Sequence, residues 1–587
     1  MSVPGGETAS DLSRRSLLAA AGGSLALTAG CVSRARSLIN RDRAEQIELT
    51  VKTVPADVDP AATAIAHRLI ENLQVVGIDA HLEPMDESEL LRDVLVNRDF
   101  ELYVLDRSFT GDPDVLRPLF HSRFDEEPGW QNPFGFTNLQ LDELLEEQVE
   151  QARERRRTTI DDIQTSLARE QPVIPVATAD RIRVVHTDRI EEGEIELGSP
   201  LGYLTLSPAD EVEDGIEEVR VAVTDDRMTQ NLNPLAIEFR TDGTYTGLLY
   251  DPLARHVDGE LRPWLAESWE WSRENEGLTA TITLREGVEW HDGSQVAATD
   301  VAFSYRFYDN TALGETETQV PAPQFRGRSS LVESTEVVDL RTVELTLGDV
   351  HESVARRVLT VPVLPQHVWE ERAEEVEVGG VTLQAGTTEA LVWENPEPVG
   401  SGPLRLVERQ SLQRLVFERV ENHFSADIIG EPAYERLIVQ VVPSAETAVS
   451  LLSNGEADLT GTPLPPSVVP EAARNDGIQL AVNETETLYH VGCNVQVPPL
   501  HNPHFRRVVA RLLDKEALVE TTFRGYADPA TSILSGTEWF ASGLEWNGQD
   551  PEVPFLGDED EIDEAAAREA FREIGYEYGS DGELLTR

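Results

Sequence analysis

The chain has 587 residues and a formal net charge of -58, and its only lysines are Lys52 and Lys515, so nearly every basic residue is arginine. An acidic surface of that size repels nucleic acid and anionic lipid, which excludes both as docking partners. The acids are interleaved with periodic apolar residues, which excludes a disordered acidic chain and points to adaptation to molar salt, where the Debye length falls to about 3 Å.

The length predicts roughly two to four domains. At the N-terminus, Arg14-Arg15 precede an uncharged apolar run, Leu17 to Ala29. The run is shorter than the ~20 residues a bilayer span needs and fits a secretion signal. Ser13-Arg14-Arg15-Ser16-Leu17-Leu18 resembles a twin-arginine signal, which exports folded proteins. Thr28-Ala29-Gly30-Cys31 resembles a lipobox, with Cys31 as the lipidated residue, although the preferred leucine sits one position early, at Leu27. Residues 1–31 therefore read as a signal and 32–45 as a polar tether.

From residue 46 strands and helices alternate. "QIELTVKTV" places Ile47, Leu49 and Val51 on one face of a strand. Asp59-Pro60 starts a helix carrying Ile65, Leu69, Ile70 and Leu73, which ends at Gly77. "IDAHLEP", "DESELLRDVLVNRD" and "FELYVLD" follow as strand, helix and strand, an order that implies a parallel sheet. Residues 138–170 read as one long helical stretch, and "QPVIPVATADRIRVVH" returns to strand. Residues 206–218 are acidic and turn-rich and read as a linker. Many short strands follow, among them "VRVAV", "LTATITL", "RTVELTL", "RLVFERV" and "ERLIVQVV". In "REGVEWHDGS" Asp292-Gly293 predicts a tight turn, His291 a hydrogen-bonded loop residue, and Thr299-Asp300 a helix start. Cys493, in "LYHVGCNVQV", is expected to be a buried small hydrophobe, and two widely separated cysteines make no disulfide framework. The last helix carries Ile562, Ala566, Ala570, Phe571 and Ile574 on one face; Gly575 stops it, Gly579 to Gly582 turn, and Leu584-Leu585 begins a strand.

Five blocks resemble the extracellular solute-binding proteins of ABC importers, in the oligopeptide/dipeptide/nickel family. They are "LRPWLAESWEWSRENEGLTATITLREGVEWHDGSQVAATDVAFSY" (261–305), "LTVPVLPQHVWE" (359–370), "PVGSGPLRLVER" (398–409), "AVSLLSNGEADL" (448–459) and "LHNPHFRRVVARLLDKEALV" (500–519). The segments that the family places after the terminal helix and turn are found here at the other end. "IELTVKTVP", "GIDAHLEPMD", "FELYVLDRSFTGDPDVLRPLF", "FGFTNLQLDELL" and "QPVIPVAT" lie between residues 47 and 178. The chain thus resembles a circular permutant of the family, with 46–206 and 217–587 exchanged; the rival reading makes 46–206 a separate half-domain.

The resemblance implies an α/β fold of the periplasmic-binding-protein type II kind, two lobes and an extra subdomain around a ligand cleft joined by hinge strands. It divides the chain into 46–190 and 487–587 as the C-terminal-type lobe, 191–216 as crossover and linker, and 217–486 as the N-terminal-type lobe with the subdomain. It implies a monomeric, lipid-anchored receptor on the outer face of the membrane, which passes a peptide-like or other small solute to permease subunits. The alternative is a sensory or adhesive receptor on the same fold. Neither cofactor nor metal is expected, and the residues suggest no enzyme: His351-Glu352 begins a zinc-protease pattern, but the second histidine position is Ala355. The residues expected at the cleft are Asp106, Phe109, Asp112, Trp130, Asn233, Tyr245, Asn494 and Trp539. In the peptide binders an aspartate four residues before the loop proline receives the α-amino group, and that position is Phe109 here. Trp130 and Trp539 enter as loop aromatics able to wall a cleft, and core or surface placement is an equal alternative for each named residue.

Overall fold

The computed structural model describes residues 45–586 apart from 109–110, 192–196, 210–215, 237–242, 275–276, 317, 378, 380–385 and 476. Cys31 and Phe109 therefore lie outside the described residues, as do the twin arginines.

In chain order the first strands are β1 (Glu48–Thr53), β2 (Asp79–Pro84), β3 (Leu102–Ser108), β4 (Val173–His186) and β5 (Ile216–Val223). A hairpin follows, β6 (Ala254–Val257) with β7 (Glu260–Pro263), and then β8 (Ala266–Glu274), β9 (Gly277–Leu284), β10 (Val332–Val337) and β11 (Thr342–Leu347). The remaining strands of the large sheet are β12 (Leu404–Gln410), β13 (Arg414–Arg419), β14 (Tyr434–Val441), β15 (Leu459–Thr460), β16 (Ile478–Cys493) and β17 (Ala527–Pro529). Two short hairpins close the list, β18 (Gly557–Asp558) with β19 (Glu561–Ile562) and β20 (Glu577–Tyr578) with β21 (Leu584–Leu585).

Among the described residues, eleven strands make one sheet in the order β12-β13-β14-β5-β15-β4-β16-β3-β1-β2, with β17 also on β4. β1 pairs in parallel with β2 and β3 at one end, and β5 pairs in parallel with β14 and β15 at the other. The two half-sheets are joined by β4 and β16, which run antiparallel from Ile478 opposite His186 to Gly492 opposite Val173. The molecule therefore has two α/β lobes connected through a pair of long strands. A separate four-stranded sheet, β10-β11-β9-β8, has its own apolar core and forms a third unit.

The β1 region shows why the sequence folds this way. Ile47, Leu49 and Val51 are fully buried, and burial of each aliphatic side chain contributes about 1.5–3 kcal/mol. The helix Pro60–Val75 starts where Asp59 accepts from the N–H groups of Ala61 and Ala62, and it stops at Gly77, whose φ of +88° suits glycine. This unit packs against the far end of the chain. The Ile47 N–H donates to Leu584 O (2.8 Å), the Leu584 N–H to Gly77 O (2.8 Å) and the Thr586 N–H to Glu45 O (2.7 Å). The Asn72 amide donates to Leu512 O at 2.6 Å, and Arg568 donates to Val75 O at 3.0 Å. The helix Glu564–Glu573 buries Ala567, Ala570 and Phe571, with Phe571 against Phe505 at 5.3 Å, in the same apolar cluster as Leu49 and Val51.

Several expectations shift. The stretch 138–170 is two helices, Leu139–Glu150 and Arg153–Glu170, because Gln151 is extended and its buried amide bonds Glu147 and Thr159. The helix from "DESELL" runs Glu87–Arg92 and then widens into a π-helical turn, Asp93–Asn97. The helix near Asp300 starts at Ala298, because the Asp300 carboxylate accepts from the Ala297 N–H (2.9 Å) as a third-position cap. Ile562 sits in β19 and not on the last helix, and Ala567 replaces Ala566 as its buried alanine. Within 206–218, Leu206 and Ala209 are buried and the Ala209 N–H donates to Arg189 O (3.0 Å), so that part is packed down. Cys493 is buried, and burial pushes its thiol up to about 12.

Candidate functional site

In open α/β sheets, ligands bind beyond the carboxyl ends of parallel strands. Here the carboxyl ends of both half-sheets converge on the middle of β4 and β16. From one lobe, Ser108 at the end of β3 takes a hydrogen bond from Arg181 of β4. From the other, Gly461, just past β15, accepts from Arg183 Nε at 3.0 Å. The two arginines, one strand step apart, mark the centre of an inter-lobe cleft.

Three segments of the first lobe bring acids to it. Asp59 follows β1, Glu87 follows β2, and Asp106 lies on β3 directly opposite Tyr489 of β16. The second lobe brings Asp225 and Arg227, just past β5, and Tyr245. Arg227 binds Asp225 through two nitrogens (2.9 and 2.7 Å) and reaches across to Glu87 at 2.6 Å. Asp225 is held below its ordinary range: burial opposes its charge, and the hydrogen bonds and charge of Arg227 outweigh that. Glu87 is pushed up to about 7 by burial, against the pull of Arg227 and with Asp225 and Asp106 adding repulsion. Burial likewise raises Asp59, which two backbone N–H groups and a hydrogen bond from Tyr489 partly offset. The Tyr245 hydroxyl lies 3.3 Å from that of Tyr203, and its ring stacks on Phe417 at 6.2 Å. The cleft thus gathers carboxylates from both lobes, guanidinium groups from β4 and the second lobe, and a pair of phenols, a set suited to a dipolar solute.

Of the residues picked from sequence, Asp106 and Tyr245 meet here. The other described ones sit elsewhere, Asp112, Asn233 and Asn494 with their side chains engaged. Asp112 caps the turn Pro113–Val115 and pairs with Arg156 at 2.8 Å. Trp130 packs under Arg107 (3.9 Å to the ring centre) and beside His490, on the face of β3 and β16 opposite Asp106 and Tyr489. The Asn233 amide donates to Ala390 O and Trp393 O, both at 2.8 Å. The Asn494 amide donates to Phe100 O at 3.0 Å, fixing the entry to β3. Trp539 is buried against Arg153 and Arg156. Sequence reasoning missed Asp59, Glu87, Arg181, Arg183, Arg227 and Tyr489. Their shared signal is position, at or just past strand ends and on the linking strands.

Other polar groupings are structural. His423 joins Ser425 (2.8 Å) and Asp251 (3.3 Å) in a serine-histidine-aspartate line, but Ser425 is buried and Asp251 also binds Trp264 and Ser401. His291 bonds Gly402 O at 3.0 Å, as a loop histidine should. A recess of about 900 Å3 between His291, Pro396, Arg405 and Arg409 contains none of the cleft residues. Among the described residues there is no metal-type cluster of histidine, cysteine and acid side chains, and no helix is long and apolar enough to cross a membrane.

Residues 260–586 match the model of the bacterial extracellular solute-binding proteins, family 5. The chain belongs to that family. This family 5 chain has the two-lobed fold of type II periplasmic binding proteins. It is 26% identical over 358 residues to heme-binding protein A of Haemophilus influenzae, covering 59% of this chain and 60% of that protein. It is 24% identical over 364 residues to the dipeptide-binding protein of Escherichia coli, covering 60% and 63% respectively. The matches thus span less than two thirds of these relatives. A solved structure of the oligopeptide-binding protein of Bacillus subtilis with a nonapeptide aligns at 17% identity and a TM-score of 0.44, over 64% of this chain and 67% of that one.

Proposed function

We propose that this family 5 protein is an exported, lipid-anchored receptor that closes on a peptide-like or other small solute and hands it to an ABC permease. The observation that carries the reading is the convergence of both lobes' strand ends on Arg181 and Arg183 of β4, with Arg227 of one lobe reaching Glu87 of the other beside them. Closure on a solute needs contacts that both lobes make only when shut, and this is where both lobes supply groups. The carboxylates suit a solute ammonium and the arginines a carboxylate. With Phe109 in the aspartate position, Asp106 is the nearest carboxylate on that strand.

The same reading takes the family order to be exchanged along the chain. Residues 46–190 and 487–587 then build one lobe, 217–486 builds the other lobe with the four-stranded unit, and 191–216 crosses between them. The hydrogen bonds from Ile47 and Leu584 support this, as does a family match confined to 260–586. Cys31, lipidated after twin-arginine export, leads through 32–45 into β1, so the lobe nearest the membrane is the one that holds β1. The acidic surface belongs to a protein working in molar salt.

Mass spectrometry of solute co-purified from the host at high salt tests the function. A bound zwitterionic solute, released by Arg181→Ala or Asp106→Ala, is the expected result. An empty cleft that stabilises with no peptide or related solute in a thermal-shift screen counts against it; a cognate solute at about 100 Kd adds roughly 2.7 kcal/mol.

A further inference from the structure

We propose that the lobes are held shut by a clasp outside the solute site, between residues 112–149 of one lobe and the four-stranded unit at 323–357. The family resemblance places Asp112 at the cleft, but the structure commits Asp112 and Asp114 to this second surface. Asp114 is fully buried and accepts from Arg117 Nε (2.8 Å) and Gln148 (2.7 Å) on its own side. From the opposite side it receives Arg357 at 2.5 Å, and Asp112 lies 3.7 Å from the same guanidinium. Arg117 reaches the other way, to Gly327 O at 2.7 Å. Glu127 takes two nitrogens of Arg326 at 2.9 and 3.0 Å, and the Gln131 amide donates to Pro323 O at 2.7 Å. The His351 N–H donates to Val149 O at 2.8 Å, and Val149 is buried in the apolar core of the four-stranded unit. Gly327 allows the approach: a Cβ there would lie 2.9 Å from Pro118 Cγ.

This surface differs from the one that ties the four-stranded unit to its own lobe. There the His291 N–H, in the turn after β9, donates to Gly400 O at 2.8 Å, just before β12 of the large sheet. The 112–149 surface is crossed by charge-assisted hydrogen bonds from Arg117, Arg326 and Arg357, the Arg326–Glu127 pair being two-pronged, beside the neutral bonds of Gln131 and His351. Its groups touch none of the cleft residues, so closure gains free energy that does not depend on solute identity. A protein whose competent state is populated in advance binds with less loss of apparent affinity. The inference stands whichever solute is carried.

Native-state hydrogen exchange on the full chain in molar KCl, without added solute, tests it. The His351 amide reports the clasp, and the amides of β9 report the core of the same unit. In the unaltered protein, His351 should be protected but exchange faster than β9. Arg357→Gln with Glu127→Gln should speed His351 exchange roughly tenfold or more and leave β9 unchanged, since charged hydrogen bonds are the stronger kind. If the double variant loosens β9 as well, Glu127→Gln alone is the deciding variant, at a contact that is only partly buried. Protection of His351 equal to that of β9, or unaltered by both variants, overturns the proposal, because the surface is then a permanent domain interface.

Discussion

Gly77 joins the beginning and the end of the chain, and replacing it should reveal that junction as a number. It stops the helix Pro60–Val75 with φ at +88°, and a Cβ built on it would lie 2.2 Å from Gly582 O and 3.0 Å from Leu584 N. Gly77→Ala therefore carries two penalties. The left-handed backbone costs about 1–2 kcal/mol for a residue with a Cβ. The collision pushes the 582–585 strand end away, which breaks the hydrogen bond from Leu584 to Gly77 O and, beyond it, the one from Ile47 to Leu584 O. Each is worth about 1 kcal/mol net, so the total is about 3–4 kcal/mol. Gly525→Ala is the control: its φ is +82° and nothing lies within 4 Å of the added Cβ, so only the backbone penalty of about 1–2 kcal/mol applies. Urea unfolding at fixed molar salt, followed by tryptophan fluorescence, measures both. A Gly77→Ala loss no larger than that of Gly525→Ala would refute the packing of the chain's end against β1.

Three further outcomes follow from the structure. His490 is fully buried, accepts from the Tyr103 hydroxyl at 3.1 Å, and is lowered to about 4, first by burial, with the Arg107 charge adding to it. Its contribution is complete above pH 6.5 and is lost as pH falls from 6.5 to 4, about 3 kcal/mol at 1.36 kcal/mol per pH unit, and His490→Gln should flatten that part of the melting profile. Lys515 and Asp550 form a buried pair at 2.6 Å, so Lys515→Met should cost about 3–5 kcal/mol, with part recovered in Lys515→Met/Asp550→Asn. At a charge of -58, Tm should climb steeply as KCl rises from 0.1 M towards 1 M and the Debye length shrinks from about 10 to 3 Å; a flat profile contradicts salt adaptation.

Local pattern carried much of the fold. Alternation at Ile47, Leu49 and Val51 made β1 legible, and Asp59, Pro60 and Gly77 bracketed the first helix, because those signals act within a few residues. The break at Gln151 was not legible, because its cause is tertiary: a buried amide satisfied by Glu147 and Thr159. The cleft was read poorly for a related reason. Asn233, Asn494 and Asp112 have the side chains of binding residues, yet each satisfies its own chain, and only the coordinates reveal those partners. Conversely, Glu87 and Arg227 are ordinary helix-start and loop residues in sequence, 140 positions apart, and acquire meaning only when two lobes meet.

The central claim is that 46–190 and 487–587 complete one lobe of a solute receptor. Its most direct measurement uses a rearranged chain in which residue 586 is joined by a short linker to residue 45 and the new opening falls within 210–215, so that 216–586 comes first. The account predicts one cooperative unfolding transition, a far-ultraviolet spectrum like the parent's, and the same co-purified solute with an affinity within a few-fold. A chain that fails to fold, or folds without binding that solute, would contradict it.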